Sequence, residues 1–192
     1  TALGVHIAKK FNGEVISADS MQIYKGMNIA TAKPDEEEMN GVKHHLIDFL
    51  DITESYSVSA YCDDARKAFD NIYNSGKIPV IVGGTGLYID SLINGIDFNE
   101  EDSAKVREKF EKLADEIGME ALFERLKDID PIVAARLHQN DRKRIIRALE
   151  KYEIYGKTAT ELDEISRQNG SKYEPIWIGI TYKDREKLYE RI

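Results

Sequence analysis

The chain has 192 residues, 42% of them hydrophobic and 32% charged, enough for one full domain or for a domain carrying a smaller insert. No stretch approaches the ~20 consecutive apolar residues of a membrane helix, and the N-terminus lacks the basic-then-apolar pattern of a secretory signal, so a cytoplasmic protein with no membrane association is expected. A net charge of -8 excludes a protein that is basic throughout, although it leaves room for a local nucleic-acid site if cations cluster.

Thr1-Ala2-Leu3 opens the chain in a helical pattern without a methionine, and further chain upstream is expected. Leu3, Ile7, Ala8 and Phe11 read as its apolar face, closed by Asn12-Gly13. Val15 to Ala18 is a short apolar run of strand length ending in Asp19, and His45 to Phe49 is a second candidate strand. A long amphipathic helix follows from an N-cap at Ser57 through Tyr61, Ala65, Phe69 and Ile72 to a stop at Gly76. Its Cys62, the one cysteine, reads as a buried structural thiol. Ile78 to Val82 is almost wholly apolar, as a parallel strand covered on both faces would be, and runs into Gly83-Gly84-Thr85-Gly86 and another helix. Strands alternating with helices indicate a parallel α/β sheet.

From about Asn99 to Lys172 the chain reads as short charged helices, with N-caps at Ser103, Asp130 and Asp141 and stops at Gly118 and Gly156. Pro175 to Thr181 returns to strand composition, and Asp184 begins a last helix. The expected organisation is an α/β core formed by 1–99 and 174–192, interrupted by a helical insertion over 100–173.

In open α/β sheets ligands sit beyond the carboxyl ends of the strands. Asp19 occupies such a place and could be a catalytic acid or a turn residue. Gly83 and Gly84 would let backbone amides approach an anion, with Thr85 adding a hydroxyl, or could simply form a tight turn. Lys33 could neutralise a phosphate or be merely solvated. His44 and His45 point to opposite faces if extended, which disfavours a shared metal ion. Lys143, Arg147 and Lys151 share one stripe of a helix whose opposite stripe is Ile145, Leu149 and Tyr152; cations so placed suit nucleic-acid phosphates or a solvated face paired with acids.

Taken together, ISADSMQIYKGMNIATAKP (Ile16 to Pro34), HHLID (His44 to Asp48), ESYSV (Glu54 to Val58), VGGTGLY (Val82 to Tyr88), ND-RKRIIRALE (Asn140 to Glu150) and GKT (Gly156 to Thr158) resemble the tRNA dimethylallyltransferases, in their order and spacing. The resemblance implies a P-loop nucleotide-kinase-like parallel core with a helical insertion domain that grips the tRNA anticodon stem-loop. It implies transfer of dimethylallyl from dimethylallyl diphosphate to the N6 amine of the adenosine 3′-adjacent to the anticodon, with Mg2+. Asp19 then corresponds to the general base, and Asp19, Ser20, Met21 and Gln22 to the strip touching the target nucleotide. Thr85 matches a catalytic residue where tRNA and diphosphate meet, with Gly83 and Gly84 toward the diphosphate. Arg107 matches a tRNA-contacting arginine, and Lys143, Arg144, Ile145, Ile146 and Arg147 the stem-loop contact segment, in which the family commonly has glutamine in place of Lys143.

The family's glycine-rich phosphate loop ends in Gly-Lys-Thr or Gly-Lys-Ser just before the first helix, and Thr1 matches its final residue, a diphosphate and Mg2+ ligand. The rest of that loop, and a C-terminal region with a further arginine near the diphosphate, are expected to lie outside these 192 residues. The 192 residues alone are expected to fold poorly and to be inactive, and the protein to be a monomer. Two other activities fit the same core: prenyl transfer to free adenine nucleotides, and a P-loop kinase acting on a small metabolite.

Overall fold

The computed structural model describes residues 1–94, 100–168 and 173–190. Helix α1 (Ala2–Lys10), strand β1 (Gly13–Ser17), helix α2 (Glu36–Met39), strand β2 (His44–His45), helix α3 (Val58–Asn74), strand β3 (Ile78–Val82) and helix α4 (Gly86–Asn94) follow one another in the first half. The three strands form a parallel sheet in the order β2-β1-β3, with Val15 opposite His44 and Val80. Alternation along the strands divides two layers. Val15, Val80 and Val82 meet Val5 and Ala8 of α1 on one face. Ile16, Ala18 and Ile81 meet Tyr61, Cys62, Ala65 and Ile72 of α3 and Leu92 of α4 on the other.

Ser57 caps α3 by accepting from the Ala60 amide, and Gly76 turns the chain out at φ 73°. The α1 face differs from expectation. Gly4, Val5 and Ala8 are buried, whereas Leu3 and Phe11 are exposed, because the helix approaches the sheet so closely that a Cβ on Gly4 would stand 2.4 Å from Val82 Cγ2.

The expected strand over 45–49 is reduced to His44–His45. Leu46 and Asp48 take left-handed φ values of 58° and 54°, which breaks the ladder; pairing resumes only as a bridge between Tyr24 and Leu50. The run 175–181 forms no strand, and Ile176, Trp177, Ile178 and Ile180 are exposed. A strand apolar on both faces needs a neighbour on each edge and a layer above and below. Among the described residues β3 has only β1 beside it, and correspondingly its side chains are half-exposed rather than covered.

The second half contains helices α5 (Glu100–Ile117), α6 (Met119–Ile129), α7 (Pro131–Ala134), α8 (Arg142–Tyr155) and α9 (Ala159–Gln168), then α10 (Arg185–Tyr189). Phe110, Leu122, Leu126, Ile145, Ile146 and Leu149 build a core of their own. Gly118 and Gly156 end helices at φ 84° and 61°. Asp130 caps α7 ahead of Pro131 and also accepts from the Thr160 amide and hydroxyl, joining α7 to α9. Asp141 stands at the α8 N-cap but accepts from His138 N instead of a helix amide. Ser103 lies inside α5 rather than capping it, and Tyr152 is exposed on α8, its expected place in the packing face taken by Ile146 and Ala148. No described helix is long and apolar enough to cross a membrane.

Candidate active site and nucleic-acid interface

The carboxyl ends of β1 and β3 are fused into one rim. Ala18 N donates to Val82 O (2.8 Å) and Thr85 N donates back to Ala18 O (3.1 Å). A Cβ on Gly83 would meet Ala18 O at 2.1 Å, so glycine is what lets the two backbones come this close. Thr85 Oγ1 accepts from Ser20 N (3.0 Å) and donates to Ser20 Oγ (3.3 Å). Asp19, Ser20, Gly83, Gly84 and Thr85, which stand far apart in the sequence, therefore form one cluster.

Asp19 is half-buried at this rim. Its Oδ1 accepts from Met21 N (2.9 Å) and Gln22 N (3.2 Å), which fixes the carboxylate, while Oδ2 accepts no hydrogen bond among the described residues. One oxygen of Asp19 thus makes the turn, which leaves the other available for the role of candidate acid. Met21 is exposed beside it. Gln22 points its amide at the 31–32 turn, donating from Nε2 to Thr31 O (3.1 Å) and Ala32 O (3.0 Å).

Thr1 is exposed at the N-cap of α1, and its hydroxyl makes no cap bond. Because Gly4 abuts Val82, the amino end of α1 lies beside the turn that begins at Gly83, where its unpaired amides and dipole favour an anion. No described group of three His, Cys, Asp or Glu side chains could hold a metal ion. The lone Thr1 hydroxyl suits Mg2+, which keeps most of its waters and is held largely by substrate phosphates with one or two protein oxygens.

Lys33 is neither solvated nor placed for a phosphate. Its side chain is 6% exposed and Nζ donates to Tyr24 O (2.6 Å) and Asp48 Oδ1 (2.5 Å), with the ammonium holding the Asp48 carboxyl below its ordinary range. The two histidines also have separate partners: His44 Nδ1 donates to Val42 O (2.9 Å) and His45 Nε2 to Glu14 Oε2 (2.6 Å). Lys77 and then His45 hold Glu14 low, and burial pushes His44 down.

A second cluster lies on the helical half. Lys143 and Arg144 are exposed on the first turn of α8. Arg107 Nε donates to Glu150 Oε2 (3.1 Å), and Arg147 pairs with the same carboxylate, which is wholly buried. Arg142 clamps α8 to α5 through Glu111 and Asp115, both at 2.7 Å. Ile145 and Ile146, at 0% and 1% exposure, belong to the helical core and cannot touch RNA directly; α8 turns them toward α5 and α6, so they support the basic segment from behind. Sequence reasoning missed Glu150 and Asp48. An acid inside an apolar stripe was the available signal for Glu150; for Asp48 it was only its place at the end of the HHLID motif.

The family model for IPP transferase matches residues 22–192. The chain belongs to the IPP transferase family. Among this family's members, it is 49% identical over 192 residues to the tRNA dimethylallyltransferase of Caldanaerobacter subterraneus, covering 99% of this chain and 61% of that protein. It is 50% identical over 193 residues to the tRNA dimethylallyltransferase of Acetivibrio thermocellus, covering all of this chain and 61% of that protein. The chain thus spans 61% of the length of these curated relatives. Its fold is similar to the tRNA delta(2)-isopentenylpyrophosphate transferase of Staphylococcus epidermidis, with a TM-score of 0.59 and 41% identity, over 98% of this chain and 61% of that one. It is also similar to a eukaryotic dimethylallyltransferase solved acting on tRNA, with a TM-score of 0.69 and 32% identity, over 88% of this chain and 41% of that one. The expected fold class, a P-loop-like parallel core bearing a helical unit, is that of these IPP transferases.

Proposed function

We propose that the protein transfers a dimethylallyl group from dimethylallyl diphosphate to the N6 amine of the adenosine 3′-adjacent to the anticodon in tRNA. Residues 1–99 and 174–192 are the catalytic core in this reading, and 100–173 the domain that grips the anticodon stem-loop. The observation that carries it is the fixed Asp19 carboxylate, whose Oδ2 is unengaged among the described residues, at a rim shared with Thr85 and the Gly83 turn.

The N6 lone pair attacks the allylic carbon, the carbon–oxygen bond breaks, and its electron pair leaves with diphosphate. The proton lost from N6 passes to Asp19 Oδ2. Negative charge developing on the leaving group is met by the backbone amides at Gly83 and Gly84, the amino end of α1 and the Thr1 hydroxyl. Mg2+ would neutralise the diphosphate, with Thr1 as its protein ligand. Thr85, bonded to Ser20, holds the Asp19 to Gln22 strip against this anion site, so that a flipped-out adenine reaches both. Lys143, Arg144, Arg147 and Arg107 supply the cations for RNA phosphates.

Asp19→Ala in the full-length protein is expected to lower turnover by roughly 10²- to 10⁴-fold with tRNA affinity nearly unchanged. Equal loss of both would remove Asp19 from the chemistry. Labelled dimethylallyl diphosphate, tested beside ATP as phosphoryl donor and with free adenine nucleotides as acceptors, separates this reading from a kinase and from a nucleotide prenyltransferase.

A further inference from the structure

Lys33 is a buried cation in a surface loop, and its partners link three stretches of chain. Nζ joins Tyr24 O, two residues beyond the Asp19 to Gln22 strip, to the Asp48 carboxylate, in the segment after β2. That segment is itself laid against the strip: Asp48 N donates to Gln22 O (2.9 Å), Phe49 N to Ile23 O (2.9 Å), and Lys25 N returns a bond to Leu50 O (2.8 Å). Gln22 completes the circuit, its amide held by Thr31 O and Ala32 O next to Lys33, and its backbone N by Asp19 Oδ1. Hydrogen bonds on either side of the Ala32–Lys33 peptide link thus connect Asp48, through Lys33 and Gln22, to the candidate base.

A second observation points the same way. Of the six described non-glycine residues with positive φ, four lie in these two segments: Ala30 (61°), Ala32 (49°), Leu46 (58°) and Asp48 (54°). Such conformations persist only where surrounding contacts over-determine them, and they gather where geometry matters to function. Asp48 keeps 52% of its side chain open to water while that of Lys33 is 6% exposed, so the carboxylate neutralises a buried ammonium that lies between these two turns.

We propose that the Lys33–Asp48 pair is a strap that sets the position of the Asp19 to Gln22 strip, making Lys33 and Asp48 positioning residues for the transfer. The proposal rests on the reading of Asp19 as proton acceptor. Lys33→Met, Asp48→Asn and the double variant, made in the full-length protein, test it by steady-state kinetics with tRNA and dimethylallyl diphosphate, with turnover taken per folded molecule from circular dichroism.

Each single variant is expected to lower kcat about tenfold or more while both KM values stay within about threefold, a loss confined to the chemical step. The double variant should be no worse than the worse single, since either change opens the same strap. A raised KM for tRNA or diphosphate in Lys33→Met, with Asp48→Asn harmless, would mark a phosphate-binding lysine and overturn the proposal; so would losses that multiply in the double. If Lys33→Met does not fold, Asp48→Asn, which keeps the lysine and every backbone bond, decides alone, and a normal kcat there overturns the strap. Absence of any transfer by the unaltered protein would sink the Asp19 reading itself, whereas normal transfer in all variants sinks only the strap.

Discussion

Gly83→Ala isolates the contact on which the candidate site depends. The added Cβ would meet Ala18 O at 2.1 Å, Ala18 C at 2.3 Å and Ala18 Cα at 2.7 Å, all backbone atoms with no rotamer to move aside. Restoring ordinary van der Waals contact requires the two strand-end turns to part by more than about 1 Å. Three backbone N–H groups donate across that seam, Ala18 N to Val82 O at 2.8 Å, Thr85 N to Ala18 O at 3.1 Å and Ser20 N to Thr85 Oγ1 at 3.0 Å. At about 1 kcal/mol net for each, their loss costs about 3 kcal/mol, before any residual strain. Gly84→Ala is the control, because a Cβ there meets nothing within 4 Å, and it should stay within about 0.5 kcal/mol of the parent. Urea denaturation of the full-length proteins measures both, and dimethylallyl transfer should fall in Gly83→Ala in parallel with the displaced Thr85. If the two variants prove equally stable and equally active, the rim is not held by this close approach.

Two further tests address the helical half. Burial pushes the Asp130 carboxyl up, but bonds from the Thr160 hydroxyl and amide and from the Val133 amide outweigh it and leave the group below its ordinary 3.8. A depressed folded-state value means stability fully present above 3.8 and lost as pH falls through the lower folded value. Asp130→Asn should therefore cost about 2 kcal/mol near neutral pH in urea melts, with the gap to the parent closing below the ordinary carboxylate range; a gap constant with pH would refute the assignment. Lys143→Glu combined with Arg144→Glu reverses two exposed charges without touching the core, so melting should hold while tRNA affinity drops at least about tenfold and the salt slope falls by about two. Unchanged binding at low salt would take RNA off this face.

What could be read from the sequence was what local rules determine. Ser57, Asp130, Gly76 and Gly156 act as caps and stops through the few residues around them, and the alternation of Val15 and Ile16 already separates the two layers of the sheet. Asp19 and Thr85 were legible as strand-end residues, but that a threonine hydroxyl would bond the strip across 65 positions was not. Lys33 carried two readings and the structure supports neither, because its partners Tyr24 and Asp48 become neighbours only after two left-handed turns that no periodicity announces. The family resemblance puts Ile145 and Ile146 among RNA contacts, whereas helical periodicity already puts Ile145 on the packing stripe with Leu149, and both isoleucines are buried. For 175–181 the composition indicated a strand, yet composition reports what a segment could pair with and says nothing of whether a partner edge is available.

That last segment also contains the one tryptophan of the chain, with 63% of its surface open to water. Its fluorescence is consequently a built-in optical signal from a single, known spot. The indole emits from a wet environment as the chain stands, and anything that comes to lie over the Ile176 to Ile180 strip would move that emission to the blue without a label having been attached.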